Sequence, residues 1–135
     1  MREFKCIVIH HSASPRKTTR EEVERWHLDR GFSAIGYHYV IEWNGIVRFG
    51  RPLIQEGAHC KADGANHDSI GICVAGDNTK PGQEWNTAQI ASLGLLIRGC
   101  RLLFGDLNFC GHRDVPGAAT ECPGVSVQTL LTGRV

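Results

Sequence analysis

Residues 7–14, IVIHHSAS, decide how the chain is read. Three β-branched apolar residues in succession describe a strand with no wet face. That strand runs into two adjacent histidines, His10 and His11, and Pro15 then blocks any continuation. Working outward, 5–10 reads as a buried strand that delivers imidazole to the point where a sheet empties into a loop.

Downstream, Thr18 and Thr19 stand three residues before Glu21 and Glu22, a capping-box signature. It predicts a helix to about Arg30 that buries Val23 and Trp26 and stops at Gly31. Residues 37–43 form a second strand. Asn44-Gly45 follows as a tight hairpin turn with positive φ expected at both central positions, and 46–49 returns. The stretch 51–69 has no sustained period and reads as loop. Residues 70–75, IGICVA, read as a central strand. Asn86 or Thr87 caps a helix whose buried stripe is Ile90, Leu93, Ile97, Cys100 and Phe104, and Gly105 ends it. A short strand at 107–110, a long loop to Gly124 and a short helix around 126–131 complete the chain. The order β, α, β-hairpin, loop, β, α, β predicts one α/β domain over 1–135, a central mixed sheet flanked by helices.

Composition narrows the function classes. Fifteen basic and fourteen acidic side chains leave a formal charge of +1, a poor basis for neutralising the several phosphates that nucleic-acid binding requires. No stretch approaches the roughly 18 consecutive apolar residues of a membrane span. The opening MREFKCIVIHH is too short in apolar character for a secretion signal. The protein is therefore expected in the cytoplasm of the producing cell until another system releases it, without stable membrane association, and as a monomer. The six cysteines are scattered, and reduced thiols are expected, with Cys60 and Cys73 the first pair to inspect.

Two histidines stand beside strand ends, His10 and His112, and Cys122 lies ten positions past the second at the end of a glycine- and alanine-rich loop. Imidazole nitrogen and thiolate sulfur suit zinc, and three protein ligands leave a fourth tetrahedral position open, the catalytic pattern. The reach is feasible if the first and last strands are neighbours. By spacing alone, the same residues also read as strand-end and loop polar groups and a small buried thiol.

Local context adds to this. IVIHHSAS, WHLDRGFSAIGYHYVI, AHCKADGANHDSIGICVAGD and GHRDVPGAATECPG resemble, block by block and in order, the zinc-dependent N-acetylmuramoyl-L-alanine amidases, the group that includes phage endolysins and peptidoglycan recognition proteins. The resemblance covers 7–124, with 78–107 matching by pattern only. It implies hydrolysis of the amide between N-acetylmuramic acid and L-alanine of peptidoglycan, as in phage-driven lysis of a host cell. The family's metal ligands fall on His10, His112 and Cys122, holding one zinc ion. Tyr37 matches the catalytic tyrosine. Thr120 stands where phage relatives often carry lysine and where catalytic recognition proteins have threonine, so it implies a neutral hydrogen-bond donor at the oxyanion. His59, Asn66 and Trp26 fall on segments expected to border the groove and contact peptide or sugar, with a general acid–base role also open to His59 and with Asn66 and His67 expected to pin the loop by hydrogen bonds. His11 and His38 are expected to be structural, each facing away from its functional neighbour. A muropeptide-binding module without activity is the alternative, as are wall recycling and antibacterial attack. No G-x-S-x-G elbow offers a serine nucleophile.

Overall fold

A computed structural model describes residues 2–135. Five strands, β1 Cys6–His11, β2 Tyr39–Ile41, β3 Val47–Phe49, β4 Ser69–Val74 and β5 Asn108–Gly111, form one sheet in the order β3-β2-β4-β1-β5. The pairs β1/β4, β1/β5 and β2/β4 are parallel, and only β2/β3 is antiparallel. Among the described residues four α-helices accompany them: α1 Arg20–Asp29, α2 Ala65–Asp68, α3 Thr87–Phe104 and α4 Val127–Leu130.

Side chains alternate across paired strands, and the two faces of this sheet differ sharply. Ile7 and Ile9 of β1, Ile41 of β2 and Ile70, Ile72 and Val74 of β4 share one fully buried core with Leu93, Ile97 and Cys100 of α3, and with Val127 and Leu131. On the reverse face Val8 packs with Cys60, Ala65 and Val115. Cys73 and Val40 pack there with Val23 of α1 and with Ile35. The helices α3 and α4 therefore cover one face, while α1 and the 51–68 segment cover the other. By length and composition alone, α3 is long and apolar enough to cross a membrane. Its inward stripe is nevertheless inserted into the sheet's own core, the behaviour of a core helix.

Both long helices start as the residues dictate. Thr19 and Glu22 form a reciprocal capping box on α1, and Asn86 and Gln89 form one on α3. The inward face of α1 differs from the expectation. Val23 and His27, four residues apart on one face, are buried, while Trp26 is 40% exposed. The imidazole is tolerated inside because its Nδ1 accepts the Gly36 N–H at 2.8 Å. The hairpin also differs. Gly45 donates its N–H to Glu42 O, and Glu42 N–H bonds Ile46 O, with positive φ at Gly45 (83°) and not at Asn44. This is a three-residue loop with one left-handed residue rather than a two-residue turn with two. The 51–69 segment holds a 3₁₀ turn at Ala62–Gly64 and the single-turn α2. All six cysteines are free thiols, and Cys60 and Cys73 lie in separate apolar clusters.

Replacing Leu93, completely buried, by alanine should cost about 2–5 kcal/mol in urea unfolding. Leu102→Ala, at 88% exposure, should stay within about 0.5 kcal/mol. A second expectation concerns pH. Burial holds the His27 and His38 imidazoles below their ordinary values, and each Nδ1 accepts a backbone N–H, from Gly36 and Gly71. Below about pH 6.5 the unfolded chain thus binds more protons than the fold, so stability is full above that pH and falls as pH drops through it. Urea midpoints at pH 7.5 and 5 test this, and an unchanged midpoint would contradict it.

Candidate functional site

The register between β1 and β5 pairs Ile9 with Gly111, so the residue after each is a histidine, His10 still on β1 and His112 just past the end of β5. Their ring centroids are 4.7 Å apart. Both stand at the carboxyl ends of parallel strands, where open α/β sheets build their sites. His112 also opens a 3₁₀ turn, His112–Asp114, whose Asp114 Oδ2 accepts the Gly111 N–H at 3.0 Å.

Cys122 arrives from the long loop that follows, and four interactions bring it in. Arg113 N–H donates to Cys122 O at 2.7 Å. Thr120 Oγ1 accepts the Cys122 N–H at 3.1 Å, and the Asn78 side-chain amide donates to Pro123 O at 2.9 Å. Pro123 itself rests on Gly111, where a Cβ would meet Pro123 Cδ at 2.6 Å. The consequence is convergence: one ligand atom from each of His10, His112 and Cys122 lies within 4.8 Å of the other two. Cys122 Sγ is 3.8 Å from His10 Nδ1. Tetrahedral zinc, with bonds near 2.05 Å to nitrogen and 2.3 Å to sulfur, would place such atoms about 3.6 Å apart. The donor types and spacing therefore fit a borderline-soft divalent ion.

The protonation states suit the same purpose. Burial, followed by the nearby His59 and His112 rings, holds His10 well below the ordinary imidazole value. Burial lowers His112 as well, so both rings are neutral and offer lone pairs at neutral pH. Among the described residues, no hydrogen bond engages either ring nitrogen of His112. Burial pushes the Cys122 thiol up to about 12. A cation binding there must displace a proton, as metal–thiolate formation generally does.

The other sequence candidates distribute unevenly. Tyr37 packs against His10 with centroids 5.0 Å apart. Burial, then Cys73 and Cys122, raise its phenol well above the ordinary value, so it remains a hydrogen-bond donor. Thr120 is exposed and braces the Cys122 amide. His59 is buried, with Nδ1 2.8 Å from His10 Nε2 and Nε2 3.1 Å from Ser69 Oγ. Asn66 Oδ1 accepts the His59 and Cys60 amides, both at 2.8 Å, so its carbonyl is spent pinning the loop. Trp26 lies apart, on a cavity of about 500 Å³ that it lines with Ser12, Ser14, Asp77 and Lys80. A cavity of about 310 Å³ borders His112 itself and is lined by Arg30, Phe32, His59, Lys61 and Asn66. The His11 and His38 rings are both tied to backbone. His11 Nδ1 accepts the Asn78 N–H at 3.2 Å, and His38 is bonded to Gly71 N and Gln55 O.

Arg30, Lys61 and Ser69 escaped the sequence reading. A signal for Ser69 existed in β4, where Ser69, Gly71 and Cys73 alternate with Ile70, Ile72 and Val74. A strand with one large and one small face leaves room for something on the small one.

The profile of the family described as N-acetylmuramoyl-L-alanine amidase matches residues 1–125. An endolysin of Enterobacteria phage T3 is 31% identical over 128 residues, covering 91% of this chain and 82% of that protein. The solved N-acetylmuramoyl-L-alanine amidase LysC from Clostridium intestinale superposes with a TM-score of 0.84 at 30% identity, covering 98% of this chain and 85% of the other. A tyrosine-to-phenylalanine mutant of a Drosophila peptidoglycan recognition protein, PGRP-LB, solved in complex with tracheal cytotoxin, superposes with a TM-score of 0.79 at 26% identity, over 98% and 82% of the two chains.

The close approach at Gly111 carries a prediction. Gly111→Ala should displace Pro123 and with it Cys122, costing about 1–3 kcal/mol by overpacking and weakening metal uptake, read by thermal unfolding and zinc titration. Wild-type zinc affinity in that variant would show that the contact does not place the thiol.

Proposed function

Because the chain belongs to the N-acetylmuramoyl-L-alanine amidase family, we propose that it hydrolyses the amide joining the lactyl group of N-acetylmuramic acid to L-alanine in peptidoglycan, with one zinc ion held by His10, His112 and Cys122. The observation that carries this reading is the meeting of His10 Nδ1 and Cys122 Sγ, 112 residues apart in sequence, beside the His112 ring.

Zinc, when bound, supplies Lewis acidity that polarises an amide carbonyl and acidifies water towards neutral pKa. The chain's own groups do the rest. The Tyr37 phenol, packed against His10 and kept protonated, donates a hydrogen bond to the carbonyl oxygen as negative charge grows there. A fixed donor of this kind stabilises the transition state without reorganising. The Thr120 hydroxyl accepts from the Cys122 amide and keeps its own proton to donate. As a neutral donor it contributes less than a charged ammonium would. Arg30 and Lys61 line the cavity beside His112, and their charges suit the carboxylates of a stem peptide. The exposed Trp26 offers a flat apolar face to a sugar ring in the second cavity. The relatives named endolysin favour a role in phage lysis, with the protein reaching the wall after release from the host cytoplasm.

Purified protein should contain one zinc per chain and separate glycan from stem peptide in muropeptides, followed by mass spectrometry. Chelation should abolish cleavage and added zinc restore it. His10→Ala and Cys122→Ser should lose both metal and turnover. Tyr37→Phe should keep the metal and lower kcat by about 10²–10³-fold, the usual loss for one oxyanion donor. Unchanged turnover in that variant removes Tyr37 from the mechanism. Stoichiometric zinc with no cleavage would instead favour a muropeptide-recognition module.

A further inference from the structure

His59 is buried against His10 with both ring nitrogens in hydrogen bonds, an odd arrangement for a residue that only lines a groove. We propose that Ser69 and His59 are positioning residues: they fix His10 as the tautomer with a bare Nδ1 and hold that lone pair toward His112 and Cys122. The inference rests on reading His10 as a metal ligand.

The direction of each hydrogen bond follows from the one before it. The Ala65 carbonyl, at the start of α2, can only accept, and the Ser69 hydroxyl donates its single proton there. Ser69 Oγ therefore faces His59 Nε2, 3.1 Å away, as an acceptor, and the His59 proton sits on Nε2. A neutral ring protonated at Nε2 has a bare Nδ1. His59 Nδ1 then accepts from His10 Nε2 at 2.8 Å. The proton of His10 is accordingly on Nε2, and its Nδ1, 3.8 Å from Cys122 Sγ, presents a lone pair. The series begins at a main-chain carbonyl, which has no other protonation state, so its polarity is set by the fold.

The rings are also held in place. A Cβ at Gly71 would stand 2.6–2.8 Å from three atoms of the His59 ring, and one at Gly57 would stand 2.5 Å from its Cδ2. His59 occupies a slot made by two missing side chains, with its plane at 87° to that of His10. Gly71 lies on β4 opposite Val8 of β1, two residues before His10, so ligand and support share one rigid strand pair. Metal-bound histidines generally depend on a partner for the second nitrogen, and loss of that partner costs about 10–100-fold in metal affinity. Here the partner is a second imidazole, itself directed by a serine.

Nitrogen-15 spectra of histidine-labelled, metal-free wild-type protein read the tautomers directly. Both His10 and His59 should carry the proton on Nε2, and a His10 protonated on Nδ1 overturns the inference. Zinc affinity, measured by competition with a chromophoric chelator, should fall about 10–100-fold in His59→Phe, which fills the slot without an acceptor. In His59→Asn, whose Oδ1 takes the place of the ring Nδ1 and can accept from His10, affinity should recover to within a few-fold of wild type. Wild-type affinity in folded His59→Phe also overturns the inference. Should that variant not fold, Ser69→Ala keeps both rings and removes the director. It should show mixed His59 tautomers and weaker zinc binding, and unaltered tautomers and affinity would again count against the proposal. None of these readouts needs turnover. Tight zinc and the stated tautomers without muropeptide cleavage would leave this inference standing while the hydrolase reading fell.

Discussion

The parallel pairing of β1 with β4 is the constraint on which the rest of the molecule depends. Its two-residue alternation puts Ile7, Ile9, Ile70, Ile72 and Val74 into one dry core. The same alternation leaves Ser69, Gly71 and Cys73 as a row of small side chains on the reverse face, beside Val8 and His10. One face supplies the apolar burial that holds the sheet under α3. The other is a trough in which the rings of His10, His59 and Tyr37 pack against one another. A large residue at Gly71 would occupy the space of an imidazole, so the site exists because the strand is large on one side only.

Placing several imidazoles in that trough has an electrostatic consequence. Burial disfavours the charged form, and His10 is held well below its ordinary value, with His59 pushed down to about 3. Neutral rings can serve as both donors and acceptors, which is what the contact between His10 and His59 requires. A protonated His59 would set two N–H groups against each other. The desolvation that makes these side chains poor cations makes them competent ligands, and the same burial keeps the Tyr37 phenol protonated. Rigidity and protonation state therefore share one cause, the burial of the reverse face of the sheet, while a cavity remains beside Arg30, Lys61 and His112.

Cys122 contributes differently. It belongs to no strand or helix, and its position rests on Gly111, Asn78, Arg113 and Thr120. The Thr120 hydroxyl holds the Cys122 amide and stands where the family resemblance implies an oxyanion donor.

Much of the architecture was legible in the residues. The capping boxes at Thr19 and Asn86, the stripe of α3 and the continuous apolar runs of β1 and β4 report local preferences, and these survive into the fold because nothing in the tertiary structure opposes them. The motif blocks likewise pointed to His10, His112, Cys122 and Tyr37. What the sequence could not determine was rotation and partnership. Val23 pairs inward with His27 rather than Trp26 because a Gly36 N–H is there to satisfy the ring. Asn44 keeps negative φ because the hairpin closes on three residues. His59 became a neighbour of His10 only when strands far apart in sequence paired in register. Periodicity fixes which face a side chain joins; which atom it then meets depends on contacts between distant segments, and those exist only in the folded chain.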